Sequence, residues 1–270
     1  MLSFEELKKI ENEQEQVEKT YEIFQEEHRL NRGKASRVEF LTNTHYIDQY
    51  LTKGAKILDV GAGAGEYSLH YAKKGYSVQS VELADANIEA FRKKITPDLD
   101  LNLRKGNAMD LSCFEEDSFD VVLLFGPLYH LKEAVDRSKV IQEARRVCKK
   151  DGFIFSAFIT NDMVIMTEFS FDKQFFLGDT YDHETFELED FPFVFFTIPE
   201  SVEMLTNEGI VIQKKVASDG FSELMEDGIN AMDEESYKQY LKFHFYICEK
   251  EEFLGCTNHL LLIGHNGGNE

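Results

Sequence analysis

Cysteine is scarce in this chain: Cys113, Cys148, Cys248 and Cys256 lie far apart in 270 residues. Thiols scattered in this way fit a reducing compartment rather than a disulfide framework. Neither C-x-x-C nor H-E-x-x-H occurs among them and the eight histidines, so no metal centre is expected. Positive charge is also short, with 29 Lys and Arg against 50 Asp and Glu and a net charge of −21. Such a surface repels a phosphate polymer at long range, and no basic stripe offsets it, so no nucleic-acid partner is expected. No apolar run approaches the roughly eighteen residues that a membrane span needs. The start of the chain reads as an acidic helix rather than a basic-apolar leader, which points to the cytoplasm. Repeats and low-complexity linkers are absent too. With 43% hydrophobic and 29% charged residues, the chain has the composition of an ordinary globule and the length to bury a full core.

What is present is organised around Lys56-Ile57-Leu58-Asp59-Val60-Gly61-Ala62-Gly63-Ala64-Gly65-Glu66-Tyr67. Ile57, Leu58 and Val60 read as a strand buried on both faces. Gly61, Gly63 and Gly65 then form a turn, and residues 67–74 have helical spacing with lysines in the last turn. Strand, glycine turn and helix build a helix N-terminus at a sheet edge, with N–H groups free to bind the polar end of a small molecule. The dinucleotide pattern G-x-G-x-x-G needs its third glycine one position later, where this chain has Glu66. A carboxylate there repels a pyrophosphate but tolerates an ammonium or sulfonium, and Asp59 adds a second negative group. The bland alternative is a turn that only reverses the chain.

Residues 2–30 read as one amphipathic helix through Phe4, Leu7, Ile10, Val17, Tyr21 and Phe24. Ser36 with Glu39 suggests a capping box for a second helix ending near Gly54. A strand over 77–82 follows the glycine helix, and Asp85 is expected to cap a helix through Lys94. Short strands are expected at 101–104 and 119–125, and a helix over 132–150 packs Ala134, Val135, Ile141, Ala144 and Val147 inward. A strand over 153–158 comes next. This alternation predicts an α/β, doubly wound Rossmann-like sheet of mostly parallel strands. From 160 to 199 the rhythm is lost in a segment dense in aromatics and acids, too long for a plain loop. A helix at 201–207, a strand at 210–217, a helix over 234–251 and a strand at 259–265 complete the chain. The expected organisation is a helical addition (1–54), a core (55–159 and 200–270) and an inserted cap (160–199).

Glu82 ends the second strand, where a carboxylate can accept both hydrogen bonds of a ribose diol. Gly106-Asn107-Ala108-Met109 follows the third strand. Phe125-Gly126-Pro127-Leu128-Tyr129-His130 follows the fourth, at the edge where open α/β sheets hold ligands. His130 is the candidate general base, with an ordinary pKa near 6.5; a helix-capping histidine is the other reading. Tyr129 is a candidate contact to the substrate. Tyr21, His28, Arg29 and Arg32 either reach over the crevice or belong to an N-terminal scaffold.

The pattern D-x-G-x-G-x-G at Asp59 to Gly65, together with Glu82, Gly106-Asn107-Ala108 and Gly126 to His130, resembles the class I S-adenosylmethionine-dependent methyltransferases in order and spacing. The likeness extends over roughly residues 35 to 265, and Tyr21 with residues 26–30 also resembles a bacterial group within that family. It implies a seven-stranded sheet whose last strand is antiparallel. It also implies S-adenosyl-L-methionine as cofactor, its methionine part on Asp59, Gly61, Ala62, Gly63 and Gly65 and its ribose on Glu82. Leu83, Ala108 and Met109 would flank the adenine. Asn107, where the family commonly has an acid, would bond the adenine amino group through its amide oxygen. Phe125, Tyr21 and Arg29 would close the cofactor pocket, and Tyr129 and His130 would face the acceptor. The activity implied is in-line methyl transfer to an N, O or S nucleophile, where holding the reactants together can supply roughly 7–11 kcal/mol. A small molecule is the expected acceptor. A protein or nucleic-acid acceptor, or cofactor binding without catalysis, stands as the alternative. The 160–199 segment suits a cationic acceptor if its acids and rings face the crevice; otherwise the rings are its own core and the acids its wet face.

Overall fold

The computed structural model of the protein describes residues 4–10, 12–23 and 29–267. One sheet holds eight strands among these residues: β1 (Lys56–Val60), β2 (Ser77–Glu82), β3 (Leu101–Lys105), β4 (Phe119–Leu124), β5 (Cys148–Thr160), β6 (Phe195–Phe196), β7 (Val211–Ala217) and β8 (His259–His265). Their order is β3-β2-β1-β4-β5-β8-β7, with β6 pairing the end of β5. Strands β1 to β5 run parallel, while β8 lies antiparallel between β5 and β7. Because β8 starts where β5 ends, with His259 opposite Ile159, its first residue shares the edge on which β1, β2 and β4 finish.

Alternation along the strands divides the core between the two faces. Leu58, Val60, Val122 and Leu124 join one buried cluster, and Ile57, Val121, Leu123 and Phe155 join the other. Both faces are covered, as a parallel sheet requires. Helices over Glu66–Lys73, Asp85–Arg92 and Ala134–Val147 make the crossovers.

Several expected boundaries move, each for a local reason. The N-terminal helix breaks into α1 (Phe4–Leu7) and α2 (Glu13–Ile23), because Asn12 Oδ1 accepts the Glu15 N–H at 2.9 Å and starts α2 afresh. Phe24 and His28 lie outside the described residues. Helix α3 (Lys34–Tyr50) starts before Ser36, whose Oγ accepts the Gly33 N–H at 3.0 Å. Glu39 is therefore not part of a capping box and bonds Arg29 instead. Asp85 is the first residue of its helix, not the cap, and its carboxylate reaches Lys105 at 2.8 Å. Ala134 and Val135 are exposed in the first turn of their helix, ahead of the stripe of Val140, Ile141, Ala144 and Val147 that meets the sheet. Asp151-Gly152 lies inside β5 rather than before it. A Cβ on Gly152 would meet Cys148 Sγ at 2.7 Å and Asp120 O at 2.9 Å, so glycine lets the strands approach. The long C-terminal helix ends at Ile247, with a short helix at Glu251–Leu254.

The 160–199 segment opens with a helix, Asn161–Phe171, and holds a small core of Ile165, Phe175, Tyr181 and Leu188. Glu168, Asp172, Asp179, Asp182, Glu184, Glu187, Glu189 and Asp190 are all exposed. Both readings of this segment have residues in their favour: Glu168, Asp172 and Glu189 line a cavity together with Phe175, Phe191, Phe193 and Phe195, while the other acids face solvent and Phe196 packs in the sheet core.

Candidate active site

Gly61, Gly63 and Gly65 take φ of +75°, +54° and +85°, the left-handed region that only glycine enters without strain. The turn is tied to β2. The N–H groups of Gly61 and Ala62 donate to Val81 O at 2.8 and 3.1 Å, and that of Gly63 donates to Glu82 Oε2 at 2.7 Å. The amides of Gly61, Ala62 and Gly63 therefore hold the turn in place, and the helix that follows begins at Glu66. At Gly65 a Cβ would lie 2.2 Å from the Phe91 ring, so that glycine serves helix packing. Asp59 is buried below the turn, off the cavity wall. Its Oδ2 accepts from Ser68 Oγ at 2.6 Å and its Oδ1 has no partner among the described residues. Burial, and secondarily the Glu82 charge, lifts its carboxyl to about 6.

Above the turn lies a cavity of about 280 Å³. Gly61, Glu82, Leu83, Asn107, Ala108, Met109, His130 and Tyr21 line it, whereas Arg29, Asp59, Ala62, Gly63, Gly65, Phe125 and Tyr129 do not. Sequence reasoning missed Asn12 and Val17, which α2 brings over the cavity as a roof, and Asp136. The start of α2 at Asn12, an N-cap residue type, was the available signal. Glu82 is 4% exposed and held by Gly63, by the Ala84 N–H at 2.9 Å and by Asn87 Nδ2 at 3.3 Å. Burial raises its carboxyl, and the backbone N–H groups oppose that rise. Asn107 Oδ1 accepts the Met109 N–H at 2.9 Å, which shapes the loop that carries Ala108 and Met109.

Among the described residues the wall contains no lysine or arginine, and its charged groups are Glu82 and Asp136. Nothing there neutralises a pyrophosphate, whereas a cationic ligand with an apolar ring and a diol is matched by Glu82 and by the Leu83, Ala108 and Met109 surfaces. S-adenosylmethionine has that chemistry.

His130 closes the cavity. Its Nε2 pairs with the Tyr21 hydroxyl at 2.7 Å and its buried Nδ1 has no partner among the described residues. Burial holds its pKa near 4, so the imidazole is neutral at physiological pH and a weaker base than its ordinary value suggests. Among the described residues its side chain caps no helix. Phe193 packs on both His130 and Tyr129, with ring centroids 5.2 and 6.0 Å away.

A second, larger cavity of about 900 Å³ adjoins it, and Tyr21 lines both. Tyr129, Phe175, Phe191, Phe193 and Phe195 give it aromatic walls. Arg29 belongs here, not beside the glycine turn: its guanidinium grips Glu39 at 2.6 and 3.3 Å. Arg32 lines this cavity as well. Beside that pair, His259 Nδ1 meets Asp219 Oδ2 at 2.7 Å and lies 3.6 Å from Glu39 Oε2. Burial works against a charge on His259, but Glu39 and Asp219 outweigh it and lift the imidazole to about 9. Glu39, Asp219 and His259 converge closely enough to hold a metal ion. Arg29 on Glu39 and a protonated His259 already supply two positive charges, so the cluster balances as ion pairs.

Residues 58–156 match the family model described as a methyltransferase domain. YqeM of Bacillus subtilis, provisionally named a methyltransferase, is 23% identical over 64% of this chain and 81% of its own length. The ubiquinone/menaquinone biosynthesis C-methyltransferase of Rickettsia bellii is 31% identical over 55% of this chain and 58% of that enzyme. Among solved structures, a SAM-dependent methyltransferase from Methanosarcina mazei superposes with a TM-score of 0.54 at 22% identity. That match covers 83% of this chain and 98% of the other, a likeness of fold.

Proposed function

Because the chain belongs to the class I S-adenosylmethionine-dependent methyltransferases, we propose that it methylates a small molecule held in the larger cavity. The observation that carries this reading is the shared wall: Tyr21 borders both the cavity above the glycine turn and the aromatic one beside it. S-adenosylmethionine, when bound, supplies a methyl group already activated for displacement.

In this reading Glu82 holds the ribose diol, Leu83, Ala108 and Met109 flank the adenine, and Asn107 fixes their loop. The unpaired oxygen of Asp59 lies under the turn as a buried negative charge that favours a cationic ligand above it. Phe125 and Tyr129 act from behind: the Tyr129 hydroxyl donates to Phe125 O at 3.1 Å and fixes the 125–130 turn. Tyr21 and His130 form a neutral pair between the cavities, which orients groups and excludes water rather than storing a proton. The 160–199 segment lines the acceptor cavity as its cap, while α2 roofs the cofactor cavity and reaches the acceptor cavity through Tyr21. The Rickettsia bellii relative is named for a quinone pathway, which favours an acceptor of small-molecule size.

The test is methyl transfer from labelled cofactor to a panel of phenols, enols, amines, thiols and carboxylic acids. Turnover of at least one small acceptor is expected. Turnover confined to protein or nucleic acid would overturn the reading.

A further inference from the structure

The Asp219–His259 pair has no part in the cofactor cavity, yet it is built like a proton-transfer group. Asp219 is buried, and Thr257 Oγ1 and the His259 N–H fix its Oδ1 while its Oδ2 takes His259 Nδ1 at 2.7 Å. The opposite ring nitrogen, Nε2, makes no hydrogen bond among the described residues and is not among their buried unpartnered atoms. His259 lines the larger cavity, and with Nδ1 taken by Asp219, Nε2 is the ring nitrogen left to meet a molecule held there. The first residue of β8 stands two strands from the end of β4, roughly 10 Å from the 127–130 turn at strand spacing. A planar ring between the aromatic walls can span that distance.

Resting on the methyltransferase reading only for the identity of the cavity, we propose that His259, positioned by Asp219, takes the proton of an acidic hydroxyl, phenolic or enolic, on the methyl acceptor. The O–H bond breaks, its proton goes to Nε2, and its electron pair stays on oxygen as the activated nucleophile. The resulting imidazolium is balanced by Asp219. The groups that face His259 are Asp219 and Glu223 from the loop after β7, Glu39 from α3, and Arg29 from the segment before it. Together they hold the ring near 9, close to the value of about 10 for a phenol. Matched values let a proton pass at little cost. Below pH 9 the free site is imidazolium, and it forms the same ion pair by taking up the acceptor as its phenolate.

The probe is 4-nitrophenol, whose absorption separates phenol from phenolate, added to the full-length protein. Wild type is expected to bind it as phenolate, shifting its titration to lower pH. His259→Gln should weaken binding at least about tenfold and leave the bound probe protonated. Asp219→Asn tests the pairing without removing the ring, and the Cε1 proton of His259 should then titrate well below the wild-type value. Wild type that leaves the probe unbound or binds it as neutral phenol, a glutamine variant with unchanged affinity, or tighter binding of 2-phenylethylamine than of the phenol would each overturn the proposal. Calorimetry with S-adenosylmethionine on the same samples separates the two claims. Binding retained in wild type and both variants isolates a failure at His259, whereas no binding in wild type fails the methyltransferase reading itself.

Discussion

Glu82 Oε2 accepts the N–H of Gly63 at 2.7 Å, so the acid that ends β2 also clamps the glycine turn that follows β1. The carboxylate thus has a structural part as well as a part in binding. Glu82→Ala leaves the Gly63 and Ala84 amides without their acceptor, at about 1–3 kcal/mol for each. Chemical denaturation should show that loss, and cofactor affinity should fall more than about tenfold. Glu82→Gln keeps one acceptor oxygen, so it should recover part of the stability and little of the affinity. Equal affinity in all three proteins would remove the ribose from Glu82.

Two glycines with nearly the same backbone separate strain from packing. Gly54 has φ +81° with open space where a Cβ would stand, and Gly65 has φ +85° with the Phe91 ring 2.2 Å from the corresponding position. Gly54→Ala should cost about 1 kcal/mol, the left-handed penalty alone. Gly65→Ala adds overpacking of about 1–3 kcal/mol. Thermal melts of the two variants measure the difference, and equal losses would mean that Phe91 moves aside freely.

Arg29, which the sequence places near the cofactor, instead grips Glu39, which is 7% exposed in its side chain. Arg29→Met should destabilise the protein by about 1–3 kcal/mol, since Glu39 loses its guanidinium partner. Cofactor affinity should stay within about twofold. A large loss of affinity at unchanged stability would return Arg29 to the cofactor.

The buried histidines set opposite pH limits. His259 is raised from 6.5 to about 9, so its contribution to stability is whole below 6.5 and is lost as pH rises through 9. His130 and His244 are lowered from 6.5 to about 4, so theirs is whole above 6.5 and is lost as pH falls through 4. Melting temperature against pH should decline at both ends. His259→Asn should flatten the alkaline decline alone, and an unchanged alkaline limb would contradict the ion-pair cluster.

Much of the fold could be read locally. The bounds of β2 follow from alternation and those of β8 from a run of apolar residues, and Glu82 follows from its place at a strand end. Other features depend on contacts that local pattern does not carry. The helix at Asn161–Phe171 is apolar on most sides, with Met163, Val164, Ile165 and Met166 in succession, so no 3.6-residue stripe announces it. Asp219 and His259 are forty positions apart and meet only because β7 ends where the antiparallel β8 begins. Arg29 reads as a crevice residue from its sequence neighbours, and only the fold of the chain ahead of α3 brings it to Glu39.

The central claim is that the cavity above the glycine turn holds S-adenosylmethionine. Isothermal titration of the wild-type protein with S-adenosylmethionine, and separately with NADH, tests it most directly. Saturable one-to-one binding of S-adenosylmethionine, with no heat from NADH, is the predicted result. Binding of NADH in preference to S-adenosylmethionine would contradict the account.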